Sequence, residues 1–511
     1  MKIRNFILGA TMALAFPAAA QQIDPLAKAM LDSYNEILSE SPKDYQTLYQ
    51  RAAQYYRLGQ YEDAYNDITK AVQYTPEKET EMARQEFSLM ADIALEVKDY
   101  DKALMAVDKA LQIDPESYAD IYKKGNVCLY LNRPQDAYNA FKSLQRLKSR
   151  SQEAYFGMAK ASIMMDNYQE ARALLDEARN ADPSNFITYC RIGDLYRDMS
   201  EDENAATNYI MAFSLARNPQ RPLQSLISLG YDDFNSVCRA LDYALSKTSN
   251  KAPLYLLKGN IAYHTGNFQE ADNAISSLLA MPEGRDPSVY ALMANIDIAL
   301  DRQDEAVVNI DKALQDKNNP AYCVIRANAL LNGGQAAASL IEARRALESA
   351  PTDTDALFAA AKAAYALGDK ANALEYLGDV VMNDPEAMEP LLFRAALYSE
   401  SGDEKAAAAD YARIASMESL NFPDATYRAI AKAKTGKAID ANSIIEKALK
   451  SDSGRDAQFY IALYHAQTGN KELASEALHK AISMGYANRF ELDSNTTPGL
   501  SIAPIRAQSA K

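Results

Sequence analysis

The sequence predicts an all-α solenoid of about thirteen stacked helix-turn-helix units. Three observations carry that expectation. Short amphipathic stretches occur with a stop signal at each end, they recur at a nearly constant period, and the composition fits a folded chain with no membrane span. Gly59 to Pro76, GQYEDAYNDITKAVQYTP, shows the first of these: Tyr61, Ala64, Tyr65, Ile68, Ala71 and Val72 fall on one face at helical spacing. Gly59 suits the left-handed turn that ends a preceding helix, and Pro76 cannot continue this one. A helix this short cannot bury its apolar face alone, so it needs a partner in the chain.

Repetition supplies the partner. Lys98 begins KDYDKALMAVDKALQIDP, Asp166 begins DNYQEARALLDEARNADP, Gly266 begins GNFQEADNAISSLLAMP, Gly368 begins GDKANALEYLGDVVMNDP and Gly469 begins GNKELASEALHKAISMG. The small residue after each turn falls at Ala64, Ala103, Ala137, Ala171 and Ala205, then at Ala271, Ala306, Ser339, Ala373, Ala407, Ala441 and Ala474. Most steps are 33 to 35 residues, the first is 39, and the 66-residue interval from 205 to 271 is two steps of 33. A sustained period marks an architecture that grows by addition, so 511 residues do not imply several globular cores. The 48% hydrophobic content and 19 glycines exclude a disordered or low-complexity chain.

In chain order, residues 1–20 read as a secretory signal peptide. MKIRN is a basic start, FILGATMALAF an apolar run too short to span a bilayer, and PAAA a small-residue end with Ala18 and Ala20 placed for cleavage. No cysteine follows the cleavage site, so no lipid anchor is expected, and a mature chain from Gln21 is expected in the periplasm. Losing Lys2 and Arg4 takes the net charge from −15 to −17. Such a charge disfavours nucleic acid or anionic lipid as partner, and no run supports direct membrane insertion.

Residues 21–44 contain PLAKAMLDSYNEILSESP, which matches only a second helix, with Met30, Tyr34, Ile37 and Pro42 in register. It reads as a cap over the first exposed apolar face. Residues 45–219 hold units one to five. In the first, Leu48, Ala52 and Tyr55 form the stripe of one helix, Gly59 breaks it, and the second helix runs to Pro76. PEKETEMARQ then adds about one turn to the next helix. Residues 220–251 are a degenerate unit, a bend or boundary, in which LISLGYDDF shortens the first helix while FNSVCRALDYALSK keeps the second. Residues 252–485 hold units seven to thirteen, and 486–511, with NTTPGLSIAP, form an irregular tail.

Cys128, Cys190, Cys238 and Cys323 lie at least a repeat apart with no CxxC pair. Packed helices sit roughly 8–10 Å apart, whereas a disulfide needs Cα atoms within about 7 Å, so buried thiols are expected.

Counted from Tyr45, small residues at positions 8, 20 and 27 (Ala52, Ala64, Ala71), an aromatic at 11 (Tyr55) and Pro76 at 32 resemble the tetratricopeptide repeat family. Ala159, Ala171, Ala178 and Pro183 agree in the fourth unit, and Ala361, Ala373 and Pro385 in the tenth. The family's tryptophan at position 4 is absent; Tyr155, Tyr189, Tyr255 and Tyr290 stand there instead. The resemblance implies a right-handed α-solenoid whose first helices line a concave groove, and a protein or peptide partner bound there.

No catalytic constellation is visible. There are three histidines, no HExxH, no P-loop, no dinucleotide fingerprint and no GxSxG, so neither enzymatic activity nor a cofactor or metal is expected. His465 falls on a core position and reads as packed. What remains is the groove. The resemblance turns positions 2, 5, 9, 12 and 13 toward it, and position 9 is Asn126, Asn260, Asn295 and Asn328. An Asn side chain offers donor and acceptor to a peptide backbone, and Tyr263 and His264 fall beside Asn260. Lys123, Lys160, Arg191 and Arg197 add a cationic strip, with Asp194 and Asp198 expected to pair part of it locally. The family's two-carboxylate clamp needs Lys and Asn at positions 5 and 9 of one unit; Phe156 with Lys160, or Tyr122 with Asn126, does not supply it. The expected function is therefore a non-catalytic interaction scaffold, possible roles being assembly of envelope or secretion complexes. The alternative is a periplasmic carrier or sensor of small ligands or glycans that uses Tyr49, Tyr56, Tyr122, Phe156, Tyr263 and Tyr365.

Overall fold

A computed structural model describes residues 25–314, 319–418, 422–436, 455–484 and 486. The expected signal peptide, the expected second helix of the twelfth unit and nearly all of the expected tail lie outside them. Among the described residues there are twenty-five α-helices and no strand. The chain divides into two compact units, Gly9–Thr248 and Ser249–Lys511. In each, a helix packs against the next in sequence, and alternate helices touch as well. This is the packing of an α-solenoid.

The regular unit is a first helix of 13 residues, such as Tyr45–Arg57, and a second of 12 to 14, such as Tyr61–Tyr74. Between them one residue takes a positive φ: Gly59, Lys98, Asn132, Asp166 and Ser200, then Gly266, Asp301, Gly334, Gly368, Gly402, Gly436 and Gly469. The following N–H bonds back to the carbonyl five residues earlier, as in Gln60 N to Tyr55 O at 2.9 Å and Asn267 N to Ala262 O at 2.8 Å. That 6→1 bond is the Schellman closure, and it satisfies a carbonyl the helix end leaves orphaned. Many first helices begin on an Asp, Asn or Ser whose side chain accepts from a first-turn N–H, among them Asp44, Ser117, Ser151, Asn185, Asp286, Asn319 and Asp353.

Small residues set the helix spacing. Ala52, Ala64 and Ala71 are fully buried, as their positions predict. The ring of Phe141 goes further, lying between Gly125 of its own unit and Gly157 of the next. A Cβ at Gly125 would stand 2.5–2.8 Å from that ring, and one at Gly157 at least as close. Tyr209 covers Gly193 in the same manner and donates its hydroxyl to Asp194 at 2.7 Å. A second device joins the two helices of a unit: Arg51–Asp67 at 2.6 Å, Arg326–Glu342 at 2.8 Å and Arg394–Asp410 at 2.7 Å, each sixteen residues apart. Cys128, Cys190 and Cys323 are buried, with their thiols held above the ordinary range by desolvation, and Cys238 is half-buried.

The helix Thr80–Glu96 has 17 residues, the extra turn expected after Pro76. The unit at 220–251 departs from expectation. Its first helix is not shortened: Gln220–Lys247 is two helices that meet at a kink, where Asp233 (φ −145°, ψ 85°) is non-helical. Gly230, within LISLGYDDF, is buried inside the helix beside fully buried Leu226 and Leu229. What this unit lacks is the left-handed turn. Asp233 alone makes the corner and caps the helix beyond it, accepting from the Ser236 N–H at 3.1 Å.

Two predictions follow from the packing. Gly157→Ala must displace a fully buried ring and should cost about 1–3 kcal/mol in urea unfolding, whereas Gly378→Ala, with open space at its Cβ, should add up to about 1 kcal/mol. Glu86 supplies the other. Its side chain is fully buried, one oxygen accepts from Thr75 at 2.6 Å and the other has no partner, and burial holds the carboxyl up at about 7. The folded state therefore favours the neutral acid, and that stabilisation is complete below the unfolded value near 4.5 and lost as pH rises through about 7. Thermal melts of Glu86→Gln should match the native protein near pH ~4 and exceed it at pH ~8, by up to about 3 kcal/mol.

Candidate functional site

In Gly9–Thr248 the four expected cations lie on first helices, but three are engaged with acids of a neighbouring unit. Lys123 spends all three of its N–H donors: on Asp92 at 2.6 Å, the Ser88 hydroxyl at 2.7 Å and the Ser88 carbonyl at 3.1 Å. Lys160 pairs with Asp198 of the next unit. Arg197 reaches Asp232 in the kinked helix at 2.5 Å, and Arg191 is exposed and stacked 5.0 Å above Phe156. Asp194 does not pair with its sequence neighbours; it accepts from Tyr209 and lies 3.6 Å from Arg221. The expected cationic strip is therefore mostly a set of staples between units. Asn126 stands among them, half-buried, with no side-chain hydrogen bond to any described residue.

The asparagines of Ser249–Lys511 separate into two kinds. Asn260 does not face outward: it is buried, and its amide donates to Leu256 O of its own helix at 2.8 Å. The cause is local, because the helix Ala252–His264 is buried on most of its surface, with Leu254, Leu256, Leu257, Ile261 and Ala262 all buried. Tyr263 and His264 beside it form a ring cluster with Phe268, the Tyr263 centroid lying 5.6 Å from His264 and 5.9 Å from Phe268. Desolvation lowers the His264 imidazole below its ordinary value, which keeps it neutral at pH 7. His465 is likewise buried and lowered, as a packed histidine should be. Asn295 and Asn328 differ from Asn260. They are half-buried on Pro287–Ala299 and Pro320–Asn332, two first helices in mutual contact, and among the described residues neither amide has a hydrogen-bond partner.

Apolar side chains flank them: Ala291 and Val324 at position 5 and Leu331 at position 12, all buried. The next first helix, Thr354–Ala366, brings Phe358 and Lys362, with the ammonium 4.4 Å from the ring centroid. Sequence reading missed this pair; its signal was an aromatic and a cation at i and i+4 on the groove-side positions. Tyr365, expected in the groove, is instead buried and donates to Glu400 at 3.0 Å. Among the described residues no group of three or more His, Cys, Asp or Glu could hold a metal ion. No described helix is long and apolar enough to cross a membrane.

Comparison with known proteins agrees with the register. Residues 96–178 match the family of anaphase-promoting complex (cyclosome) subunit 3, and residues 243–405 match the ChAPs family of Chs5p-Arf1p-binding proteins. A TPR repeat-containing protein of Methanocaldococcus jannaschii is 24% identical over 237 residues, 45% of this chain and 36% of the relative. The chain is a tetratricopeptide repeat protein. Subunit 7 of the Arabidopsis thaliana anaphase-promoting complex is 27% identical over 126 residues, 25% of this chain and 22% of the relative. The aligned segments thus span about a third or less of these curated relatives. Yeast Tom70 aligns in structure over 92% of this chain and 96% of its own, at 17% identity and a TM-score of 0.36. A tetratricopeptide repeat fold suggests a protein-interaction scaffold.

The staples differ in burial, and so should their contributions. The side chains of Lys123 and Asp92 are 19% and 29% exposed, and burial raises the Asp92 carboxyl against the opposing pull of Lys123. Lys123→Met should destabilise by about 2 kcal/mol, because it strands a partly buried carboxylate. Lys160→Met should cost under about 1 kcal/mol, since both partners are roughly 40% exposed. Chemical denaturation of the two variants checks the order.

Proposed function

We propose that this tetratricopeptide repeat protein is a non-catalytic scaffold that binds an extended protein segment along the first helices of residues 252–366. One observation supports the reading above the others: Asn295 and Asn328 hold equivalent positions on touching helices, half-buried, with both carboxamides unspent. A half-buried amide without a partner forgoes hydrogen bonds that an extended backbone can supply, and two in register read main chain without demanding one sequence. The N-terminal sequence supports a periplasmic setting, and a role in assembling envelope or secretion complexes accords with it. The carrier alternative has weaker support, because Tyr365 is buried and bonded to Glu400, Tyr263 is packed on Phe268, and Tyr56 lies against Tyr61.

The test begins with crosslinking in the native envelope to capture the partner. Binding of that partner is then measured with Asn295→Ala, Asn328→Ala and the double variant. Each replacement should weaken binding by about 1 kcal/mol with the melting temperature unchanged. Asn260→Ala should behave in the opposite way, leaving affinity intact and lowering stability slightly, because its amide is committed to Leu256 O. Undiminished affinity in a well-folded double variant would falsify the proposal.

A further inference from the structure

Resting on the reading of Asn295 and Asn328 above, we infer that the bound segment carries an interior acidic side chain, Asp or Glu, whose carboxylate pairs with Lys362. Lys362 occupies position 9 of Thr354–Ala366, the place that Asn295 and Asn328 hold on the two preceding first helices, and each of these helices touches the next. Three other first-helix cations of this unit are neutralised within the protein. Lys258 pairs with Glu270 at 2.6 Å, Arg326 with Asp311 at 2.7 Å and Glu342 at 2.8 Å, and Arg394 with Asp410 at 2.7 Å. Lys362 is half-buried against Phe358, and among the described residues no carboxylate comes within ion-pair distance of it. Asp355, on the same helix, acts on it only through longer-range attraction.

An ammonium held on a ring face, partly withdrawn from water and lacking its own acid, complements a carboxylate brought by a ligand. Adjacent helices are roughly 8–10 Å apart and an extended chain advances about 3.3 Å per residue. Three residues of ligand therefore cross each helix, and the acid falls about three residues beyond the backbone unit paired with Asn328. At position 9 of the next unit stands Ala396, a small side chain that gives a passing chain no reason to end. The assignment is accordingly to a side chain rather than to a chain terminus.

Two pools of N-acetylated, C-amidated nonapeptides, randomised except for Glu or Gln at the centre, are titrated against the full chain by fluorescence anisotropy. The Glu pool should bind about tenfold more tightly, the scale of one charge-assisted hydrogen bond. Lys362→Gln should erase the difference, and Lys362→Glu should shift preference to a Lys-centred pool, with helicity and melting temperature preserved in both variants. Asn295→Ala with Asn328→Ala should weaken both pools alike. Equal binding of the two pools, still dependent on the asparagines, overturns the acidic assignment alone. Binding indifferent to the asparagine pair overturns the reading beneath it. Binding seen only when the peptides end in a free carboxyl overturns the choice of an interior side chain.

Discussion

When a thirteen-residue helix ends, its last carbonyls must find donors within a residue or two if the chain is to double back alongside it. A left-handed residue followed by a 6→1 hydrogen bond meets that need, and the chain uses it at each regular helix pair described. Everything else in the unit inherits from it. The turn fixes which face of the second helix meets the first, which in turn fixes where small residues are required and where a Phe141 or an Ile68 can enter. The unit at 220–251 lacks the left-handed residue, and there the two helices meet across Asp233 alone.

Once the pairs are set, charge does much of the joining. A chain of net charge −15 has acids to spare, yet its first-helix cations are largely consumed in staples: inside a unit at a separation of sixteen residues, or between units at separations of 31 to 38. These staples hold the half-buried Arg51, Lys123 and Arg394 without leaving bare charge, which would cost several kcal/mol each if unpaired. The same accounting makes Lys362 conspicuous, since it is comparably placed and has no such partner among the described residues.

The fold was legible because its determinants are local and repeated. Tyr61, Ala64, Ile68 and Ala71 declare a helix by spacing alone, and Gly59 with Pro76 declares its ends. The five turns built on Lys98, Asn132, Asp166, Ser200 and Asp301 carry no glycine, and only the period reveals them. The stretch LISLGYDDF misled for the converse reason: its glycine sits in a helix interior, on the face that buries Leu226 and Leu229. The groove was less legible. Register placed Asn260 and Asn295 identically, but the apolar residues around Asn260 withdrew it from solvent and turned its amide back on Leu256. In the cationic strip Asp198 does take up Lys160, as a local reading allows, but Arg197 finds its partner in Asp232, a whole repeat away.

Repeated positions therefore carry two kinds of information that sequence alone does not separate. A residue at position 9 states where a side chain begins, and its neighbours decide whether that side chain is spent. Asn260 has spent its amide on its own helix and Lys160 its charge on Asp198, while Asn295, Asn328 and Lys362 have spent neither. Stability is indifferent to groups left in that state, since water satisfies them in part and nothing in the core leans on them. A ligand is not indifferent. It gains most where the protein has paid to hold a donor or a charge half out of water and has provided no partner of its own. By that criterion three successive first helices, Pro287–Ala299, Pro320–Asn332 and Thr354–Ala366, form the most receptive surface in the described chain, and their order (amide, amide, ammonium) gives it a direction.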